Sequence, residues 1–384
     1  MWWRHSARNL MNDQVVLFET FDTASGHRFG RATLNAPASL NALSLAMVDQ
    51  LDPQLAAWAE DPAVAGVLLD ATGDRAFCAG GDVVSICHAI RALPPGEVPA
   101  EAAAFFEHEY RLDYRIHTYP KPLICWGHGF VMGGGIGLMA GASHRVATPR
   151  TRLAMPEISI GLYPDVGGSW LLPRLPGRTG AFLALTGAQL NAADALFAGL
   201  ADFVLAHGQH AALIEAISGT AWSGDTERDA ATLSQLIESL ASRDELPDSM
   251  LRANLERINA IIGHDTLGDI AERLQALALH DDPWLKQAAA TFVKGSPTSA
   301  ALGLEMQRRA RDLSLADTFR LELQASMGCC AHPDFAEGVR ALLVDKDRNP
   351  QWQPATLAEV TPEWLEDHLR PRFDGPHPLA DLGA

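Results

Sequence analysis

MPEISIGLYPDVGGSW spans residues 155–170. Its two carboxylates, Glu157 and Asp165, stand eight positions apart, and no Lys or Arg lies among or beside them. The rest is mostly apolar residues, Gly and Pro, a composition that favours burial. An unpaired buried carboxylate is costly, so two of them here need a reason. One reason is catalysis: two acids in a dry site push each other's pKa apart and can divide the roles of acid and base. The other is local: Glu157 closes a turn and Asp165 N-caps a helix beginning at VGGSWLLPRL. On residue types alone both readings stand.

Upstream of this stretch, strand-like and helix-like patches alternate. GRATLNAP (30–37) ends a strand, and Ser44 is placed to cap a helix running to about Asp61. VAGVLLDATG (64–73) and PLICWGHG (122–129) read as buried strands, and HRVATPRTRLAMPE (144–157) as two short ones. Such alternation predicts an α/β fold with crossover connections. Two of the strands run into Gly-rich turns, FCAGGDV (77–83) and HGFVMGGGIG (128–137). Glycine lets a backbone approach a ligand closely. Amides from two such turns, aimed at one point, would hold an oxyanion, whereas either turn alone is better read as tight packing. Beyond about residue 208 the texture becomes helical, with amphipathic stretches such as MLRANLERINAII and TFRLELQASMG. A division falls near 220/221, giving a core over 15–220, a helical region over 221–384 and a flexible leader over 1–14. The last segment, RPRFDGPHPLADLGA, is expected to fray.

The 384-residue chain is 47% hydrophobic and 20% charged, enough for a large buried core. A net charge of −17 argues against nucleic acid and anionic membranes as partners. Five cysteines without a CxxC pair suggest a reducing compartment and no disulfide framework or metal site. The N-terminus lacks the apolar core of a secretory signal; its Arg and Ser would suit a mitochondrial presequence, but the stretch is short, so a cytoplasmic location is expected. The turns do not fit GxGxxG, GxxxxGK[ST] or GxSxG, so neither a dinucleotide, a P-loop nor a serine elbow is indicated.

Together, AFCAGGD (76–82), MGGGIGL (132–138) and MPEISIGLYPDVGG (155–168) resemble the crotonase (enoyl-CoA hydratase/isomerase) superfamily. The resemblance implies a crotonase-like ββα-superhelix core, a coenzyme A thioester as substrate, no separate cofactor, and a homo-oligomer. It assigns the carbonyl-binding amides to Gly81 and Gly134. Backbone contacts to CoA fall in NAPASLNAL (35–43), at Ala38 and Leu40, and at Ala79 and Asp82. Hydratases of this superfamily carry one glutamate in the PE motif, here Glu157, and another where this chain has Gly137.

The PDVGG run with Asp165 is similar to the 3-hydroxyisobutyryl-CoA hydrolase branch. So are FFEHEYRLDY (105–114), which supplies Glu109, and the segments 294–311 and 334–360. That likeness implies thioester hydrolysis, with Glu157 as nucleophile or base, Asp165 as water-orienting group or proton shuttle, and Glu109 on the substrate hydroxyl. For Glu109 a solvated helix face is the competing reading. Two other readings stay open. One is a hydratase or isomerase, although dienoyl-CoA isomerases want a second Asp at position 137. The other is a binding module without activity.

Overall fold

The computed structural model describes residues 14–241, 246–263 and 266–384. All but Gln14 of the leader expected over 1–14 lies outside them. Nine strands form two sheets: β1 (Val16–Asp22), β2 (Arg28–Leu34), β3 (Val64–Ala71), β4 (Ala76–Cys78), β5 (Leu123–Gly127), β6 (Phe130–Met132), β7 (His144–Ala147), β8 (Arg152–Ala154) and β9 (Phe203–Val204). The larger sheet runs β1-β2-β3-β5-β7-β9 and the smaller β4-β6-β8. Among the described strand pairs, β1–β2 is an antiparallel hairpin and the others are parallel. Each successive turn of chain thus gives one strand to the larger sheet and the next to the smaller, the arrangement of a ββα superhelix.

The strands are where the buried runs place them. Seven of the eight residues of β3 and all five of β5 are buried, as expected for parallel strands covered on both faces. The helices that build the site are α1 (Leu45–Glu60), α2 (Val83–Arg91), α3 (Ala100–His117), α4 (Gly134–Ala140), α5 (Gly168–Leu171), α6 (Leu315–Ala331) and α7 (Pro362–Leu369). Ser44 caps α1, its side chain accepting from the Met47 amide at 3.3 Å.

One apolar core runs across the 220/221 division, from Val16 to Leu382. Helix α6 packs on both α3 and α7, which brings the C-terminal region against the centre of the molecule. The C-terminal segment does not fray. Leu379 and Leu382 are buried, Asp381 pairs with Arg111 at 2.8 Å, and Arg320 Nε donates to the Leu379 carbonyl at 3.0 Å. The leucines of PLADL join the main apolar core, and Arg111 and Arg320 hold the backbone that carries them. No described helix is long and apolar enough to cross a membrane.

Candidate active site

The two glycine turns meet. A Cβ placed on Gly134 would lie 3.4 Å from the Gly81 nitrogen. Gly81 follows β4, and Gly134 is the first residue of α4, whose opening amides have no partner within the helix. Neither the Gly81 nor the Gly134 amide has an acceptor among the described residues. The three-glycine run is demanded by space. A Cβ on Gly133 would sit 2.8 Å from Glu157 Oε1, one on Gly134 2.5 Å from Glu109 Oε1, and one on Gly135 2.4 Å from the Cys78 carbonyl oxygen. Gly133 also has φ 47°, which glycine adopts freely.

The acids converge on the same place. Glu157 opens a single 3-10 turn, Glu157–Ile160, and is 4% exposed. Its Oε2 has no partner among the described residues. Asp165 is also 4% exposed, and its Oδ2 accepts from the Tyr110 hydroxyl at 2.7 Å. It does not cap the following helix: α5 has no side-chain cap, and its N-terminal position is Gly167. Glu109 is buried rather than solvated, because α3 turns it inward with Phe105, Phe106, Leu112 and Ile116.

Burial and mutual repulsion separate these groups. Burial pushes the Asp165 carboxyl up to about 6, and the Tyr110 hydrogen bond opposes that rise. Burial lifts Glu157 well above the usual carboxylate range, with Asp165 adding to the effect. Glu109 is raised well above it by burial, then by Asp165, Glu157 and Glu322. Burial and the neighbouring Asp165 thus favour the protonated form of Glu157, while the Tyr110 hydrogen bond favours the ionised form of Asp165.

Sequence reasoning missed Asp113, Glu322, Tyr110 and Ser326, all buried. Asp113 lies one helical turn after Glu109, and neither of its oxygens has a partner among the described residues. Burial, then Glu109, lifts its carboxyl well above the ordinary range. The signal was the i, i+4 spacing of Glu109 and Asp113 on the stripe that holds Phe105 and Ile116. Glu322 falls likewise between Phe319 and Ser326 on the buried side of α6. Burial, then Asp165, raises the Glu322 carboxyl to about 8.

The expected CoA segment abuts the first glycine turn, as the Ala79 amide donates to the Leu40 carbonyl at 3.1 Å. Leu40 and Asn41 both have positive φ, 57° and 54°. Asn41 fixes the loop through the Ala36 amide and the Thr72 and Ala76 carbonyls. Ala38 lies exposed on the one-turn helix Pro37–Ser39. The Asp82 carboxylate is taken up in capping α2, accepting from the Ser85 amide and hydroxyl at 3.3 and 2.7 Å. The Asp82 amide in turn donates to the Leu43 carbonyl at 2.9 Å.

Two sheets wound by successive strand pairs, with two glycine turns meeting beside a buried acid pair, define a crotonase-type enzyme. The chain belongs to the enoyl-CoA hydratase/isomerase family, which it matches over residues 29–369. It is 39% identical over 342 residues to the mitochondrial 3-hydroxyisobutyryl-CoA hydrolase of Gallus gallus, covering 89% of this chain and 86% of that one. The Homo sapiens enzyme of that name is 37% identical over the same shares of the two chains. Among solved structures, a carnitinyl-CoA dehydratase from Mycobacterium thermoresistibile superposes with a TM-score of 0.82 at 38% identity, covering 94% of this chain and 97% of that one. An enoyl-CoA hydratase from Rhodobacter sphaeroides superposes with a TM-score of 0.77 at 35% identity, over 93% and 98%.

Proposed function

We propose that this enzyme hydrolyses a short 3-hydroxyacyl-CoA thioester, 3-hydroxyisobutyryl-CoA before others, without a separate cofactor. The observation that carries the reading is the pairing of Glu157 and Asp165 beside the Gly81 and Gly134 amides, with no second acid at position 137. A Cβ on Gly137 would meet Asp113 Oδ2 and the Val166 Cβ, each at 2.8 Å. The space a hydratase gives to its second glutamate is filled here. The names of the vertebrate relatives agree with the hydrolase; those of the two bacterial structures agree with a hydratase or dehydratase.

In the proposed reaction the thioester oxygen lies between the two amides, and Glu109 meets the substrate hydroxyl. Glu157 passes its proton to Asp165, and its carboxylate attacks the thioester carbon. The carbonyl π pair moves to oxygen, where fixed N–H dipoles stabilise it without reorganising. Collapse breaks the carbon–sulfur bond, and the sulfur takes the proton from Asp165. CoA leaves as the thiol and the acyl group remains as an anhydride with Glu157. Water then adds to the acyl carbon, giving one proton to Asp165, and the carbon–oxygen bond to Glu157 breaks. The acid departs and the pair again holds one proton. Direct attack by water activated on the same carboxylates is the competing route. Hydroxylamine separates the two: an acyl hydroxamate formed without a change in the rate of thiol release supports the anhydride.

The test of function is thiol release by the purified protein. Stoichiometric CoA and acid from 3-hydroxyisobutyryl-CoA is the expected result. Hydration of crotonyl-CoA without thiol release would overturn the hydrolase reading, and tight CoA binding with no turnover would favour a binding module. The product acid fits valine breakdown, and isotope tracing from valine in a deletion strain would test that placement. Five unpaired, buried thiols suit a reducing compartment, and the cytoplasm is the one proposed. Cell fractionation tests it.

A further inference from the structure

The Asp165 turn is held in an unfavourable shape. Val166 has φ 51°, a region that a β-branched residue occupies only as an outlier, and Gly167 follows at φ 84°. The Gly168 amide closes the turn on the Asp165 carbonyl at 2.6 Å. Such a conformation persists only where its surroundings over-determine it. Those surroundings come from a helix more than 150 residues further along the chain. The Gly167 amide donates to Glu322 Oε2 at 2.8 Å, and the Ser169 amide donates to Glu322 Oε1 at 2.9 Å. Each carboxyl oxygen takes one of two buried N–H groups at the start of α5, which has no cap of its own.

One turn later on the same helix, Ser326 Oγ lies 2.6 Å from the Tyr110 hydroxyl and 3.0 Å from the Tyr163 hydroxyl. Tyr110 in turn donates to Asp165. The Tyr163 hydroxyl donates back to the Glu322 carbonyl at 2.7 Å. One face of α6 therefore holds both the backbone and the carboxyl group of the Asp165 turn. The same turn sets Val166 against Gly137, in the space a second hydratase acid would need.

Resting on the hydrolase reading above, we propose that Glu322 is a positioning residue: through the Gly167 and Ser169 amides it sets Asp165 against Glu157 and keeps Val166 over Gly137. On this proposal the C-terminal helical region completes the active site. Removing the clamp leaves two buried amides unsatisfied and lets the turn relax away from the tyrosine hydroxyl.

The test compares the wild type with Glu322→Gln, whose side chain keeps one acceptor oxygen and turns an N–H₂ on the other amide. Deuterium exchange of the peptide covering residues 163–172 reads the clamp without reference to activity. Exchange there is expected to rise at least about tenfold while peptides from β2 and β3 stay protected. On 3-hydroxyisobutyryl-CoA, kcat should fall by a similar factor with KM changed less than about threefold, and the acid limb of the rate profile should move to higher pH. Ser326→Ala, a milder change, should move the acid limb without exposing the Gly167 and Ser169 amides. Unchanged exchange in Glu322→Gln overturns the clamp, whatever the activity. Raised exchange with kcat and the acid limb unmoved overturns the positioning role. If the wild type releases no thiol while exchange in Glu322→Gln rises as expected, the clamp stands and the hydrolase reading fails.

Discussion

The Tyr110 hydroxyl, on α3, donates to Asp165 Oδ2, on the turn before α5, across 2.7 Å of buried interior. That bond favours the ionised carboxylate and opposes the rise that burial imposes on it, leaving Asp165 at about 6. In the proposed reaction Asp165 must be ionised to receive the Glu157 proton, so kcat/KM should fall as pH drops through about 6. Tyr110→Phe removes the donor, so the carboxyl pKa should rise and the acid limb should move to higher pH. A limb that stays in place, or moves down, would contradict the assignment. The limb is read from initial rates of thiol release.

Glu157→Gln keeps the shape of the site but removes the attacking oxygen. Thiol release should fall by at least about 10³-fold, deletion of a nucleophile costing up to about 10⁶. CoA should still bind, as measured by calorimetry. Turnover within tenfold of the wild type would take Glu157 out of its role.

Gly134→Ala places a methyl carbon 2.5 Å from Glu109 Oε1 and 3.4 Å from the Gly81 nitrogen. It obstructs the point at which the two amides converge. Loss of one such donor typically costs about 10²–10³ in rate, and a kcat/KM loss near the lower figure is expected with an unchanged circular dichroism spectrum. Near-wild-type kcat/KM would mean that the acyl oxygen sits elsewhere.

Gly137→Glu restores the acid that hydratases of this superfamily carry, but not the room for it. Overpacking of this kind typically costs about 1–3 kcal/mol, so the variant should melt at lower temperature and crotonyl-CoA hydration should stay at background. A gain of hydration would show that Asp113 and Val166 yield more easily than their contacts suggest.

Asp113 gives a stability prediction with a definite sign. Its folded pKa is raised well above the ordinary value, so the unfolded chain releases this proton at lower pH than the folded one. Stability is therefore lost as pH rises from about 4 toward the raised pKa, by about 1.4 kcal/mol per pH unit at most. Asp113→Asn has no proton to lose. Relative to the wild type it should gain stability as pH rises above about 4 toward the raised pKa, and the gain should vanish near pH 4. Parallel denaturation curves across that range would count against an uncharged, buried Asp113.

Much of this architecture is legible in local pattern. The run VAGVLLDA is a covered parallel strand because every position is apolar or buried, and Ser44 starts α1 because its hydroxyl meets an orphan amide. Glu157 and Asp165 are legible because charge is scarce around them. Glu109 is half legible: its type suggests solvent, and its spacing from Phe105 suggests the core. The Asp82 carboxylate serves the adjacent helix N-terminus, a role legible from its place just before an apolar helical run. The C-terminal segment reads as loose from Pro and Gly content, and is held by Arg111 and Arg320, neither of them its sequence neighbour.

By itself the sequence determined the order of elements, the two glycine turns and the acid pair, since each depends on residue types within a few positions of one another. Only the tertiary structure decided that the amides of residues 81 and 134 lie side by side, that Asp113 and Val166 fill the space beside Gly137, and that Glu322 grips the Asp165 turn. Those relations join segments tens to hundreds of residues apart. Their physical cause is the shared burial of charge: a dry interior forces every polar group to find a partner or give up its ionisation, and which partner lies within reach is a property of the packed chain.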